Sequence, residues 1–491
     1  MESFTPDEEE LNNVETPLKK GQWFGDFMYM PGEIKTLITI KPKKGIFRLT
    51  EYLVAKFHPK TIKGSRREIY IYENGIYVPG EDTLRKAIRE ELGELCSNSH
   101  VKEAMEAVKD FNPIDREKFN ADKHMLNLNN GVLNMRTREL KEHSPEYLFF
   151  TKIPVNYDPQ ADCPTIKKFI SDVLDEEQVQ IIKEWAGYGL YPEYFIKKAI
   201  ILVGDGDTGK STFMSLFFAF YGAENVSGVS LQKMSTDKFA GAHMYKKYIN
   251  LYDELSIKDI HDNGAFKMAT GGGVITGEKK FGDQFQFKNY AKLTFACNKI
   301  PDVRDADDEA YFKRWIIIHF NYVVEEKDKD TQLLSKLTTP GELSGFLNFA
   351  LDGLSALQKN QQFSYEKNAE EIKAEMLQSG SSVGKFAFNC LEPGEDLWIS
   401  KEDMYKAFIQ FTQRNNLPNT TIEALGKRLP KYAGYINTMK PVDPETKKQI
   451  TAWSNVKFKD GFHLLKKEIV GVPNSMDDII DITEDFKLYE S

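Results

Sequence analysis

The stretch Ala199-Ile200-Ile201-Leu202-Val203-Gly204-Asp205-Gly206-Asp207-Thr208-Gly209-Lys210-Ser211-Thr212 decides how the rest of this chain reads. Five apolar residues predict a buried parallel strand, and the run from Ser211 to Tyr221 (STFMSLFFAFY) predicts an apolar helix. Between them lies Gly-x4-Gly-Lys-Ser, in the strand–loop–helix setting that a phosphate-binding P-loop requires. Glycines let backbone N–H groups approach phosphate oxygens, and the helix N-terminus adds its positive dipole. In this reading Gly204 through Thr212 hold ATP, Lys210 reaches the β- and γ-phosphates, and the Ser211 hydroxyl ligates Mg²⁺. Asp205 and Asp207 bring negative charge close to a triphosphate, so both side chains are expected to point away from it.

Composition excludes several classes. A chain of 491 residues suggests roughly three domains. The 41% hydrophobic and 28% charged fractions are those of an ordinary soluble protein. No apolar run approaches the roughly 18 residues that a membrane helix needs, and MESFTPDEEE at the start has no hydrophobic signal core, so no membrane partner is expected. Cys96, Cys163, Cys297 and Cys390 form no CxxC pair, which excludes a zinc ribbon or disulfide framework and fits a reduced, cytoplasmic setting. A net charge of −9 confines any nucleic-acid contact to a local groove, loop or channel.

Periodicity gives a coarse element map. Residues 1–20 read as an acidic disordered tail. Ile46–Phe57 has helical spacing, and Arg67–Tyr77 alternates around Glu73-Asn74-Gly75 as a hairpin. Glu81–Leu95 is an amphipathic helix, Met125–Leu140 a second hairpin-like stretch turning at Asn129-Asn130-Gly131, and Thr165–Leu190 two helices. No internal repeat or low-complexity tract is present.

Beyond the P-loop, three features follow in the order of a nucleotide-hydrolysing core. Tyr248–Tyr252 reads as a strand ending in Asp253-Glu254, where Asp253 would hold Mg²⁺ and Glu254 would polarise the attacking water. Ala291–Cys297 reads as another strand, ending in Asn298, a polar group placed to orient that water. Arg314, just before Trp315–Ile318, is a candidate arginine finger for a neighbouring subunit.

This ordered set, with Lys267-x-x-Thr270-Gly271-Gly272 and Asn298-x-x-Pro301, resembles a superfamily 3 helicase. It is most similar to the primase–helicases of phages and plasmids, which share this core with the poxvirus primase–helicase. Asn130-Gly131-Val132-Leu133, His143-Ser144-Pro145, Val155-Asn156-Tyr157-Asp158-Pro159, Cys163-Pro164 and Gly187-Tyr188-Gly189-Leu190 also follow that family's run. The resemblance covers roughly residues 45 to 460. Two departures stand out: Thr208, where the family often has Asn, and Gly273, where an Asp commonly follows the glycine pair.

The resemblance implies an α/β fold: a P-loop, AAA+-like superfamily 3 helicase core with an N-terminal α/β domain and a C-terminal winged helix. The expected boundaries are 21–197 for the N-terminal domain, 198–360 for the ATPase, and 361–394 for a helical linker. A winged-helix-like domain follows at 395–472 and an acidic tail at 473–491, either a partner-binding segment or an intramolecular latch. The implied activity is ATP-dependent unwinding of DNA, 3′ to 5′, by a homohexameric ring in the host cytoplasm of a virus or plasmid-type element. Single-stranded and forked DNA are the expected partners, with a separate primase or polymerase a further candidate. The residues before the ATPase lack a paired-carboxylate strand motif or zinc-ligand cluster, so primase activity is not expected on this chain. The alternative reading is an origin-binding initiator that melts DNA without processive unwinding.

Two segments are candidate DNA contacts. Gly271–Phe287 (GGGVITGEKKFGDQFQF) reads as a hairpin with Lys279, Lys280 and Phe281 at or near its tip. Lysines there would meet phosphates without base preference, and the aromatic would stack. In superfamily 3 rings the matching hairpin enters the central channel. Near the C-terminus, Ser400 and Thr420 open two helices, the second carrying Lys427 and Arg428, followed by a basic loop from Met439 to Ile450. Either a DNA-binding winged helix or a structural docking domain fits this stretch.

Overall fold

A computed structural model describes residues 22–24, 26–64, 66–237, 239–255, 263–278, 284–300, 308–325, 329–443, 447–459, 462–465, 479–481 and 489–490. The tail 1–20 and the hairpin residues Lys279, Lys280 and Phe281 lie outside the described residues. Two compact units divide at Tyr157/Asp158.

In the first unit, helices Glu33–Ile40, Pro42–Phe57, Glu81–Leu92 and Asn98–Phe111 share a core built from Ile34, Leu49, Leu53, Leu84, Ile88, Val101 and Met105. Beside them lies a mixed four-stranded sheet in the order Ile76–Pro79, Ile69–Glu73, Lys60–Ile62, Pro113–Ile114. The first expected hairpin forms, with Asn74 at φ 49 and Gly75 at φ 87, the positive pair that a two-residue I′ turn demands. Asn130 explains why two separated sequence motifs go together. Its amide accepts from Tyr157 N at 2.9 Å and donates to Tyr157 O at 2.9 Å, tying the second hairpin to the Val155-Asn156-Tyr157 run.

The second unit is organised by a five-stranded parallel sheet. Its strands, in chain order, are Ala199–Val203, Val226–Ser227, Ile249–Tyr252, Lys292–Cys297 and Trp315–His319. In space they run fifth, first, fourth, third, second. The first and fourth strands are covered on both faces, as central parallel strands are: every residue of Ala199–Val203 and Lys292–Cys297 is buried, the polar Lys292 and Thr294 of the fourth included.

The expected domain boundary at residue 197 shifts to 157. Helices Pro164–Val173 and Glu176–Leu190 belong with the parallel sheet, because Glu176–Leu190 packs along helix Pro340–Asn360. The two axes cross closely at Gly187, where a Cβ would lie 2.0 Å from Ala350 O.

A second boundary also shifts. Residues 361–394, expected as a helical linker, hold helices Ala369–Gly380 and Ser382–Cys390 and then the start of strand Leu391–Ser400. Val383, Phe386, Ala387 and Cys390 are buried in one core with Phe408, Leu425, Leu429 and Val456. The C-terminal domain therefore begins near Ser382 rather than at 395. Its order is helix, strand, helix Lys401–Arg414, helix Ile422–Tyr432, strand Asn437–Met439, strand Ala452–Phe458, the strands antiparallel. Of the acidic tail 473–491, Tyr489–Glu490 pairs with Leu397–Trp398 and Ile479–Asp481 with His463–Leu465.

Candidate nucleotide site

The loop Gly204–Gly209 leaves the end of its strand and turns into helix Lys210–Tyr221. Gly209 sits at φ 90, a left-handed conformation that a side chain at this helix start would oppose. Lys210 is only 7% exposed. Its ammonium donates to Gly204 O (2.7 Å), Asp205 O (2.6 Å) and Thr208 Oγ1 (3.1 Å), holding it over the loop. Burial lowers its pKa from the ordinary value, with Asp253, Cys297 and Asp205 opposing the shift. The Thr208 hydroxyl also donates to Asp205 O at 3.0 Å, so the departure from Asn keeps a polar brace inside the loop. Asp207, at the rim of the loop, pairs with Lys329 at 3.2 Å. The Asp205 side chain is exposed.

Across the cleft stands the acidic pair. Ser211 Oγ donates to Asp253 Oδ2 at 3.1 Å, which joins the first helical turn to the end of the third strand. Glu254 adopts φ 60, and its N–H donates to Asp253 Oδ1 at 3.0 Å. A non-glycine residue in that region costs on the order of 1–3 kcal/mol. Asn298 follows the fourth strand. Gly206 to Thr212, Asp253, Glu254, Cys297, Asn298 and Lys299 line one cleft of about 730 Å³. Burial pushes the Cys297 thiol up to about 12, leaving it a neutral part of the wall.

The structure thus brings together the P-loop, Asp253, Glu254 and Asn298, and it does not bring Arg314 to them. Arg314 precedes the fifth strand, where its carbonyl accepts from Ala199 N at 2.7 Å. From the level of Lys198 to Gly204 the strand advances about 3.3 Å per residue, roughly 20 Å in all. Arg314 is therefore at the opposite end of its own sheet, with a guanidinium that donates to Ala310 O and an Nε that has no partner among the described residues. Nearby, Lys267 of the Lys-x-x-Thr-Gly-Gly motif pairs with Asp308 at 2.7 Å. Lys427 and Arg428 are exposed on helix Ile422–Tyr432, in the C-terminal domain. Sequence reasoning missed Lys299, although its place directly after Asn298 was a signal.

Serine hydroxyl and carboxylate oxygens are the hard donors that Mg²⁺ takes, usually one or two from protein with phosphates and waters completing the shell. The Ser211–Asp253 pair fits that demand. Among the described residues no cluster of three or more His, Cys, Asp or Glu could hold a metal by protein ligands alone. No helix of the described residues is long and apolar enough to cross a membrane.

Comparison with known proteins gives two family matches. Residues 33–175 match a family described as D5 N terminal like, and residues 202–314 match a family of unknown function, DUF5906. The first match supports likeness to the phage primase–helicase group. No curated protein matches the chain. Among solved structures, "The A form apo structure of NrS-1 C terminal region-CTR" is 14% identical, covering 82% of this chain and 97% of that one, with a TM-score of 0.48. "The apo structure of NrS-1 C terminal region (305-718)" has the same identity and coverage with a TM-score of 0.47.

Proposed function

We propose that this chain is an ATP-hydrolysing replicative DNA helicase of superfamily 3, working as a ring on single-stranded and forked DNA. The observation that carries the reading is the Ser211–Asp253 contact at 3.1 Å, made across a cleft that the P-loop, Glu254 and Asn298 also line. A parallel sheet with the first strand between the fourth and fifth is the order this proposal assigns to an AAA+-like core. The D5 N terminal like match over 33–175 adds support for the primase–helicase group.

In this mechanism the backbone N–H groups of Gly206 to Thr212 and the Lys210 ammonium hold the phosphate chain of ATP. Ser211 and Asp253 would hold Mg²⁺, which when bound neutralises charge on the phosphates. The Glu254 carboxylate takes the proton of the attacking water, and the Asn298 amide fixes that water's direction. Arg314, remote from its own site, serves the γ-phosphate of a neighbouring subunit. Lys279, Lys280 and Phe281 grip DNA in the ring channel. The C-terminal domain, whose order of helices and strands suits a winged helix, meets DNA through Lys427 and Arg428.

The test is ATP turnover together with strand displacement on a forked duplex. Turnover and unwinding that both vanish in Lys210→Ala support the proposal. DNA-dependent ATP turnover without strand displacement would favour the initiator reading instead, for which the exposed Lys427 and Arg428 are the supporting feature.

A further inference from the structure

We propose that Lys299 is a second catalytic cation of the nucleotide site, acting in cis on the γ-phosphate; this rests on the ATPase reading above. The charges of the cleft set the problem. Its ionisable lining is Lys210, Lys299, Asp207, Asp253 and Glu254. Asp207 is neutralised by Lys329, and Lys210 is held among loop oxygens. Mg²⁺ held by Ser211 and Asp253 would offset the Asp253 carboxylate, which leaves Glu254 facing the γ-phosphate with Lys210 and Lys299 as the lysines of the lining.

Lys299 answers this from the correct side. It follows Asn298 at the end of the fourth strand, next to the P-loop strand. It lines both the P-loop cleft and a neighbouring hollow of about 600 Å³ that shares Thr208 and Asn298. The side chain is exposed and makes no ion pair or hydrogen bond with a described residue. Three other lysines of this core are committed: Lys267 to Asp308, Lys292 to Tyr191 O and Tyr290 O, Lys247 to Glu224 O. A free ammonium on a flexible stem acts as a point charge for phosphate. Bond cleavage moves negative charge onto the γ-phosphoryl and leaving oxygens, so the cation gains most in the transition state. The water's proton still leaves through Glu254, and Lys299 stays protonated throughout.

The experiment uses the full chain and three variants, Lys299→Met, Lys299→Arg and Lys299→Gln, each checked for native melting. Equilibrium binding of a non-hydrolysable ATP analogue and of ADP is measured alongside turnover. Removing one preorganised transition-state donor costs about 10²- to 10³-fold in kcat. Lys299→Met and Lys299→Gln should show that loss and bind the ATP analogue more weakly while binding ADP natively; Lys299→Arg should recover most of both.

Subunit mixing gives the cis assignment. Lys299→Met mixed with Lys210→Ala should regain nothing, because every site then lacks one of the two lysines. Lys299→Met mixed with Arg314→Ala should regain activity. Native kcat and native ATP-over-ADP preference in Lys299→Met would overturn the proposal, as would recovery in the Lys210→Ala mixture. The binding comparison stands even where turnover is undetectable. Failure of the ATPase reading itself has a separate signature, a native chain whose nucleotide binding is indifferent to Lys210→Ala.

Discussion

Replacing Glu254 separates chemistry from binding and from backbone strain at a single position. Glu254→Gln keeps the side-chain volume and the φ 60 turn and removes only the ability to take a proton. A positioned general base contributes roughly 10²- to 10⁴-fold, about 2.7–5.5 kcal/mol of barrier at 1.36 kcal/mol per decade. Turnover should therefore fall at least about 100-fold, while a fluorescent ATP analogue binds with native affinity. The Glu254 carboxylate makes no hydrogen bond with a described residue, so the amide leaves no partner unsatisfied and thermal melting should stay native. Glu254→Gly provides the counterpart. It relieves about 1–3 kcal/mol of left-handed strain, offset by about 0.5–1 kcal/mol of extra unfolded-state freedom. Turnover should be lost while stability is unchanged or higher. The assays are phosphate release at saturating ATP, analogue titration and melting of the same preparations. Native turnover in Glu254→Gln would refute the base assignment, and a large loss of analogue binding would show that Glu254 organises the cleft instead.

Lys210→Ala should weaken ATP binding by roughly 10- to 100-fold, the value of a charge-assisted contact of about 1.5–3 kcal/mol, and should abolish turnover; native affinity in the same titration would count against the P-loop reading. Arg314→Ala should bind ATP and hydrolyse it poorly, with partial rescue on mixing with Lys210→Ala; absence of rescue in mixed rings verified by mass would remove the trans role. The double replacement of Lys279 and Lys280 by Ala should eliminate DNA-stimulated turnover and strand displacement and flatten the salt dependence of DNA binding, whereas native unwinding would leave those lysines as a solvated turn. Burial lowers the Lys198 pKa to about 8 from 10.5. The unfolded chain then binds more protons between about pH 8 and 10.5, so stability should rise with pH across that window. Lys198→Met should flatten that rise in a denaturation series, and an unchanged slope would disprove the assignment.

The parts of the fold that the sequence discloses are those whose burial is local and symmetrical. Ala199–Val203 is covered on both faces, so its apolar run is continuous and easy to find; Lys292–Cys297 is equally buried, with Lys292 and Thr294 hydrogen-bonded inside it. Asn74-Gly75 announces its turn because few residue pairs accept two positive φ values. Strand Leu391–Ser400 is hidden for the opposite reason. Pro393 and Gly394 punctuate it, and its pairing with Ala452–Phe458 shifts between Pro393 and Trp398, so the alternation of a regular strand is broken. The boundary near 157 is hidden because helix Glu176–Leu190, buried all round from Glu184 onward, does not name its partner. That partner, Pro340–Asn360, lies far along the chain, and the two approach closely at Gly187 and again at Gly353.

The candidate site follows the same division. Gly204 to Ser211 are contiguous and could be read directly, and Asp253, Glu254 and Asn298 could be read because each ends a strand of one parallel sheet. Parallel strands deliver their following residues to a single edge, so residues far apart in sequence meet without any local signal between them. Arg314 precedes its strand, so the same geometry carries it to the far edge. In the proposed reading, Arg314 at the far edge contributes to a site only when a second copy brings that edge to the first copy's near edge. In the proposed ring this contact is heterologous and closes by rotation. Hydrolysis is then tied to the relation between neighbours, while binding through Lys210 and the cis charge of Lys299 stay within one chain. Affinity for ATP should accordingly survive dilution below the concentration at which turnover per chain collapses. Turnover that remains proportional to chain concentration through that dilution would place the whole reaction inside a single subunit.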